Sequence, residues 1–419
     1  MKRMEPKRTL GLLDATAIGI GAIVGAGIFV VLGIAVGYAG PAVIISMAIA
    51  GTVALFTALS FAELGSAIPK QGGTYEYAYE LISPFVGFIS GCLWLFGQTV
   101  GGAAVSLGLA SYFVAVFPFF PLKIVAVSAA LVLTALNLIG TKYSAMVNNV
   151  LVLTKIVILC LFVGFGGFHV NAINYTQFAP NGFAGILQGA GFIFFAYLGF
   201  GRIATLGEEV KNPKRTLPLA IFIALGASVI LYIVTGLITT GLLDYRVLAE
   251  SGSPLTDAAR ATGNFPLIAA ISFGALVATV SVLLTNLIGL GRVSFAMARN
   301  GQLPKSLAAI HPKRGTPYVS ILVTGALMAL LALVADLRQT AAITSFSILS
   351  THIILHVSAI RLRKKIPELK TFKAPLYPLI PFLGLVSCAV LMFSLPADAW
   401  VVWVGVVVAV SVYYLLRKK

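Results

Sequence analysis

Residues 17–29, in the first apolar run of the chain, read AIGIGAIVGAGIF and carry four glycines within nine positions. Each glycine costs a helix about 1 kcal/mol relative to alanine, so this stretch is poor material for a continuous helix. Two interpretations follow from the spacing. Gly21 and Gly25 form a small-xxx-small pair that allows close helix packing, or the helix is interrupted here. We favour an interruption, because a second stretch of the same kind follows.

The second stretch, residues 194–202, reads FFAYLGFGR and places glycines and a charge near the middle of an apolar run. A matched pair of interrupted helices, one in each half of a chain, is typical of membrane transporters built from inverted repeats. Unwound backbone leaves amide N–H groups that can hold a carboxylate, and carbonyl groups that can hold an ammonium. A dinucleotide-binding glycine fingerprint is excluded, because no strand or βαβ unit surrounds these glycines.

The composition sets the class of protein. The 419 residues are 59% hydrophobic and only 10% charged, and their mean hydropathy is +1.00. A soluble chain of this length cannot cover so much apolar surface with so few charges. Soluble enzymes, disordered chains and coiled coils are therefore excluded. We expect an all-α integral membrane protein whose main partner is the lipid bilayer.

Polar breaks divide the chain into twelve apolar stretches, each long enough to cross about 30 Å of hydrocarbon. They lie at residues 13–36, 40–64, 84–117, 122–140, 145–169, 183–209, 216–242, 264–298, 317–335, 341–361, 377–395 and 399–416. The expected parts are a cytoplasmic segment, two five-helix inverted repeats, two further helices and a cytoplasmic tail, at residues 1–12, 13–169, 183–361, 377–416 and 417–419.

Lysine and arginine are distributed unevenly between the two sides of these stretches. The segments on the side of the N-terminus hold 23 of them and the opposite loops hold 4, while Lys155 and Arg202 lie within stretches. The positive-inside rule then predicts a multi-pass cell-membrane protein with both termini in the cytoplasm. The net charge of +16 follows from the same bias, so it does not indicate a nucleic-acid partner.

Several short motifs carry a resemblance to a known family. They read GAGIF, PKQGGTY, FFAYLGFGRIATLGEEVKNPKRTLP, ARNGQLP and GTP, at residues 25–29, 69–75, 194–218, 298–304 and 315–317. In this order they resemble the amino acid–polyamine–organocation transporters, above all prokaryotic relatives of cationic amino acid transporters. The resemblance implies a leucine-transporter-like fold of ten helices in two inverted repeats, with helices 1 and 6 unwound at mid-membrane, plus helices 11 and 12. Many relatives carry GFDA in helix 6, whereas this chain has Phe200-Gly201-Arg202, so its pocket or inner gate is expected to differ.

The resemblance also implies a substrate site at the two interruptions. The N–H groups expected to hold a carboxylate are those around Gly25, Ala26 and Gly27. The carbonyls expected to accept from an ammonium group are those of Ile23, Phe195, Ala196 and Leu198, and Phe195 and Tyr197 add bulk. No acidic side chain lies beside these positions, which favours small or apolar amino acids over arginine. Replacing Gly27 by valine is expected to block the site while leaving the protein folded.

Lys155 lies ten residues, or about 15 Å, into its apolar stretch, which is half the hydrocarbon thickness. An unpaired charge there costs at least about 2.5–3.5 kcal/mol, so we expect a partner or a function. A helix-5 lysine in the family takes the place of a sodium ion beside helix-1 carbonyls, here near Gly21, and beside hydroxyls that match Thr279 and Ser281. The resemblance therefore implies proton rather than sodium coupling at Lys155, with a purely structural tie as the alternative.

Arg202 lies just past the expected break in helix 6, and three roles stay open for it: a gate pairing, snorkelling to the inner vestibule, or substrate contact. Glu63 ends helix 2, and Glu208 and Glu209 end helix 6. For these three acids we expect structural latches with cations rather than catalysis.

His352 and His356 lie four residues apart on one helix face, without an acidic or cysteine partner nearby in sequence. A packing role is expected for both rather than a metal site. No Ser-His-Asp set, paired carboxylates or P-loop is visible, so the sequence predicts neither an enzyme nor a cofactor.

The expected function is a secondary transporter that imports an amino acid with a proton. Two alternatives stay open: an obligate exchanger of amino acids or amines on the same fold, and a channel or transporter-like receptor. The sequence does not determine the oligomeric state.

Overall fold

A computed structural model describes residues 10–68, 70, 72–139, 145–204, 210–311, 316–366 and 371–417. Within these ranges every regular element is helical, apart from one isolated parallel bridge between Leu10 and Val210. The predicted all-α class is confirmed.

The helices are numbered in chain order. Those of the first part are α1 (Leu12–Ile23), α2 (Leu32–Ala39), α3 (Val43–Ala67), α4 (Thr74–Leu81), α5 (Pro84–Val116), α6 (Leu122–Ile139) and α7 (Ala145–Gly167). Those of the second part are α8 (Gly182–Tyr197), α9 (Gly201–Ala204), α10 (Pro213–Leu242), α11 (Tyr245–Glu250), α12 (Pro254–Arg260), α13 (Phe265–Arg299), α14 (Tyr318–Val334), α15 (Leu337–Lys365), α16 (Leu379–Ser394) and α17 (Ala397–Arg417).

Among the described residues, eight helical segments are long and apolar enough to cross a membrane. One of them, Leu12–Ala67, has 56 residues, more than twice the roughly 20 that a crossing needs. Three shorter apolar helices are Leu122–Leu138, Tyr318–Val334 and Leu379–Ser394. The chain is therefore a multi-spanning membrane protein. The count of twelve crossings and their pairing into repeats stay predictions.

The two predicted interruptions differ in form. Helix α1 ends at Ile23, Val24 has extended backbone (φ −71°, ψ 90°), and helical structure resumes as a π-turn over Gly27–Val31 that leads into α2. Helix α8 instead tightens into a 3₁₀ turn over Leu198–Phe200 and continues as α9. The expectation that helix 6 is unwound is therefore wrong: a 3₁₀ turn shifts the hydrogen bonds from i−4 to i−3 but keeps the segment helical.

Helices α5 and α15 pack closely beside this interrupted region. Gly97 and Gly101 of α5 face the side chains of Ser347 and Thr344 on α15. A Cβ atom added at either glycine would lie only 2.9 Å from the facing side chain. On another flank, Gly33 of α2 lies against the backbone carbonyls of Leu248 in α11 and of Ser251 just after it. Small residues thus allow the surrounding helices to approach the interrupted helix.

Candidate functional site

The interrupted end of α1 lies directly against the 3₁₀ turn that follows α8. A side chain on Gly27 would overlap the backbone of Ala196, and one on Gly199 would overlap the Ala22 carbonyl and the Ile23 amide. Each helix therefore needs glycine where the backbone of the other passes. Close packing and interruption, which the sequence presents as alternatives, both occur here. The expectation that valine at Gly27 leaves the fold intact is wrong, because the space is already filled by backbone.

Tyr232 of α10 connects the two helices and was not expected from the sequence. Its fully buried hydroxyl donates to the Ile23 carbonyl at 2.7 Å and lies 3.3 Å from the Ala196 carbonyl. Both carbonyls were predicted to accept from a substrate ammonium group. A carbonyl oxygen has two lone pairs, so a carbonyl that accepts from Tyr232 can accept one further hydrogen bond.

A small cavity of about 40 Å³ lies at this junction. It has room for about three water molecules, so an amino acid fits only after lining side chains have moved. The predicted site residues that line it are Ile23, Ala26, Gly27, Phe195, Ala196 and Leu198. Gly25 and Tyr197 are not part of the lining. Gly25 faces the Val282 side chain, and the Tyr197 hydroxyl donates to the Met47 carbonyl at 3.2 Å.

Neighbouring helices contribute further lining residues that the sequence analysis missed: Gln98, Gly101, Val105, Val282, Asn286 and Thr344. The available signal was an amide side chain inside a long apolar helix, as at Gln98 and Asn286, because such polar groups in a membrane helix are expected to serve a function. The Asn286 side chain donates to the Gln98 backbone carbonyl at 2.8 Å, which ties α13 to α5.

A second, larger cavity of about 260 Å³ begins where the small one ends. The two share Gln98, Leu198 and Asn286. Residues found only in the larger cavity include Phe61, Thr74, Trp94, Thr285, Arg292 and His352. No acidic side chain occurs among the described residues that line either cavity. The lining thus combines aromatic rings, neutral hydrogen-bonding groups and a single cation.

Lys155 of α7 is 1% exposed and reaches the helix-1 backbone as the resemblance implies. Its ammonium donates to the Gly21 carbonyl at 3.4 Å and to the Ser281 hydroxyl of α13. The Thr279 hydroxyl donates to the Ala275 carbonyl of its own helix at 2.8 Å. The structure thus brings Lys155, Gly21 and Ser281 together and ties α1, α7 and α13 at one point.

Three other charged residues with predicted roles are Arg202, Glu208 and Glu209. Arg202 belongs to α9 by its backbone, but its side chain lies outside the described residues, as do Glu208 and Glu209. Their proposed gate and latch roles therefore stay predictions.

Glu63 is fully buried at the end of α3, and its carboxylate accepts from both Nε and Nη2 of Arg363, the latter at 3.1 Å. The Ala374 N–H donates to the same carboxylate at 3.0 Å, and Arg363 returns a 2.6 Å bond to the Ala374 carbonyl. The predicted latch is confirmed, with its cation supplied by helix α15 rather than by a loop.

His356 also has the expected packing role. Its Nδ1 lies 2.9 Å from the Ser60 hydroxyl and its Nε2 lies 3.3 Å from the Thr57 hydroxyl, both on α3. The described residues contain no group of three or more His, Cys, Asp and Glu side chains with metal-site geometry. His352 also packs as expected, against the rings of Phe61, Phe194 and Phe200, and in addition it lines the larger cavity.

The start of helix α4 borders the larger cavity through Thr74 and the preceding Gly73, and the helix carries a buried acid, Glu76. Burial raises the pKa of the Glu76 carboxyl above its ordinary value, and the nearby Glu80 adds to this rise. Lys70, 3.9 Å away, opposes it. The Lys70 ammonium itself binds Glu80, which raises the pKa of Lys70.

Membrane-length apolar helices that surround an interrupted helix, with cavities at the interruption, define a multi-spanning membrane protein with internal cavities. The chain belongs to the amino acid permease family, whose model matches residues 14–414. This agrees with the amino acid–polyamine–organocation superfamily that the motifs indicate.

Three similar proteins are named for different substrates. A methylthioribose transporter of Bacillus subtilis (strain 168) is 35% identical over 98% of this chain and 94% of its own. A branched-chain amino acid permease of the same organism is 34% identical over 99% and 94%. A chloroplastic cationic amino acid transporter of Arabidopsis thaliana is 35% identical over 73% of this chain and 58% of its own.

Proposed function

We propose that this chain is a secondary active transporter that imports small or apolar amino acids together with protons by alternating access. The observation that carries the proposal is the cavity between the interruption of α1 and the turn after α8. Amide groups at Ala26 and Gly27, at the start of a helical segment, are suited to a carboxylate. The remaining acceptor positions of the Ile23 and Ala196 carbonyls are suited to an ammonium group.

The absence of acidic side chains from the described cavity lining supports a neutral substrate. A cationic side chain buried without a carboxylate partner is costly, whereas an aliphatic one gains from the apolar walls. The name of the branched-chain permease among the relatives agrees with this choice. The name of the cationic transporter points the other way, and we give more weight to the lining.

In this proposal the chain crosses the cell membrane twelve times, and Leu12–Ala67 supplies the first two crossings. Helices 1–5 and 6–10 form the inverted repeats, and both termini are cytoplasmic, as the distribution of lysine and arginine favours. The larger cavity then lies on the cytoplasmic side of the smaller one. Arg202, whose backbone follows the turn, is placed at the inner gate.

Lys155 is the proposed coupling group, because its ammonium ties the α1 backbone at Gly21 to Ser281 of α13. Loss of a proton weakens the bonds that this ammonium donates. Helix α1 is then free to move relative to α13, which opens the substrate site inward. A cation site filled by a lysine leaves no place for sodium, which favours protons as the coupling ion.

A second candidate function is uptake of methylthioribose, the substrate named for one relative. The neutral hydrogen-bonding groups of the lining, such as Gln98, Thr285 and Asn286, are chemically suited to hydroxyl groups. This candidate does not use the carboxylate and ammonium positions at the interruption, so we rank it second.

The test begins with thermal unfolding of the purified protein in the presence of each common amino acid, several amines and methylthioribose at millimolar concentration. A ligand that binds only the folded state raises the melting temperature. We expect stabilisation by neutral apolar amino acids. Stabilisation by methylthioribose alone supports the second candidate and contradicts the first.

Uptake into reconstituted vesicles then separates the modes of transport. A proton symporter accumulates the labelled amino acid in empty vesicles when the outside is acidic. Uptake only into preloaded vesicles indicates an obligate exchanger. Ion current without saturable uptake indicates a channel, and binding without uptake indicates a receptor.

A further inference from the structure

His352 of α15 has an unusual environment at the far end of the larger cavity. The residue is 5% exposed, and its Nδ1 is buried without a hydrogen-bond partner among the described residues. The rings of Phe61, Phe194 and Phe200 pack around the imidazole at centroid distances of 5.7, 5.6 and 5.9 Å. Since Nδ1 is the buried ring nitrogen and His352 lines the cavity, we take Nε2 as the nitrogen that can face a ligand there.

The position of His352 separates it from the small cavity. Along α15 the lining runs from Thr344 in the small cavity to His352 in the larger one, eight residues or about 12 Å at the helical rise. Along α13 it runs from Val282 to Arg292, ten residues or about 15 Å. A small or apolar amino acid such as leucine is no longer than about 8 Å by standard bond lengths. One molecule therefore cannot contact both ends.

The side chains that line the larger cavity are suited to a ligand that has an anionic group and an apolar side chain. Arg292 is the only charged side chain in its described lining, and Trp94 and Phe61 supply aromatic surface. A guanidinium binds a carboxylate through two parallel hydrogen bonds, and an imidazole N–H adds a third donor. The volume of about 260 Å³ approaches the lower end of the range for small-molecule pockets.

We propose that the larger cavity is a second binding site for a carboxylate-bearing small molecule of the class that is transported, held by Arg292 and Nε2 of His352. The site rests on the proposed function, since it takes the same amino acid after it leaves the small cavity. The apolar side chain of the ligand lies against Trp94 and Phe61. The amino acid is thus held a second time before it reaches the cytoplasm.

The test is equilibrium binding of tritiated L-leucine to the full-length protein in lipid nanodiscs, with stoichiometry and affinities from the saturation curve. Wild type is expected to bind two leucines per chain. His352→Leu is expected to weaken one of the two sites about tenfold, the effect of one lost hydrogen bond to a charged group. Arg292→Gln, which removes the two-bond guanidinium contact, is expected to weaken the same site more than tenfold, and both variants are expected to leave the other site unchanged. His169→Gln is the matched control, because His169 is exposed and lines neither cavity.

One leucine per chain in wild type overturns the second site, as does a His352→Leu variant that weakens both sites equally. If His352→Leu does not fold, Arg292→Gln carries the test alone, since Arg292 is an exposed side chain. Failure of the proposed function gives a different result, in which neither leucine nor any other amino acid binds. A single leucine site together with proton-driven accumulation keeps the proposed function and removes only the second site.

Discussion

The ion pair between Glu63 and Arg363 predicts an asymmetric loss of stability when its partners are removed one at a time. The Glu63 side chain is 1% exposed, whereas that of Arg363 is 20% exposed. Arg363→Gln therefore leaves a buried carboxylate with the Ala374 N–H as its remaining described partner. Glu63→Gln leaves a partly exposed guanidinium that still donates to the Ala374 carbonyl.

The exposed fractions of the two side chains set the expected losses of stability. Removing one partner of a buried pair costs about 3–5 kcal/mol, and we expect this for Arg363→Gln. For Glu63→Gln we expect about 1–2 kcal/mol, because water solvates part of the guanidinium and the lost hydrogen bonds are worth about that much. The double variant should lose less than the sum of the two, because it leaves no unpaired charge.

The assay is equilibrium unfolding of the four proteins in mixed micelles, combined with leucine binding. Leucine affinity should stay unchanged in all of them, because neither Glu63 nor Arg363 lines a cavity. A Glu63→Gln variant that is destabilised as much as Arg363→Gln refutes the reasoning from exposure. A loss of binding without a loss of stability refutes the assignment of the pair as a structural latch.

Three further predictions concern the site and its border. Gly27→Ala should strongly reduce the yield of folded protein, because the added methyl group overlaps the Ala196 backbone. Its control is Gly201→Ala in α9, which should express like wild type because the added methyl group makes only van der Waals contacts with Phe61. Tyr232→Phe should lower the free energy of unfolding by about 1–3 kcal/mol through the carbonyls it leaves unpaired, and unchanged unfolding would contradict the role of its hydroxyl. The pKa of Glu76 is raised in the folded protein, so its stabilising contribution is present below pH 4 and is lost as the pH rises. Glu76→Gln should therefore melt above wild type at pH 7 and equal to it near pH 4, and a lower melting temperature at pH 7 would contradict this sign.

Much of the membrane fold was predictable, because the bilayer imposes a simple rule on sequence. The apolar stretches predicted at 84–117 and 264–298 agree with α5 at Pro84–Val116 and α13 at Phe265–Arg299 to within one residue at each end. The interruption of α1 was predictable from its glycines. The 3₁₀ turn after α8 was not, since glycine content indicates weakness in a helix but not whether the backbone opens or tightens.

The site was predictable where backbone atoms form it and less so where side chains from other helices do. The resemblance identified the partners of Lys155 at Gly21 and Ser281 correctly. It gave no sign of Tyr232, because a tyrosine in an apolar run is ordinary and only the packing of α10 against α1 brings its hydroxyl to Ile23. His352 was assigned to packing for a similar reason: helical spacing reveals the face of a residue but not the cavity beside it.

Accumulation of labelled leucine by reconstituted vesicles under an imposed pH gradient tests the central claim most directly, with wild type and Lys155→Met compared side by side. Methionine keeps much of the apolar stem of Lys155 but removes its ammonium. Wild type should concentrate leucine when the outside is acidic, whereas Lys155→Met should only equilibrate it, with exchange at equal concentrations retained. A Lys155→Met protein that still concentrates leucine in response to the gradient would contradict proton coupling at this residue.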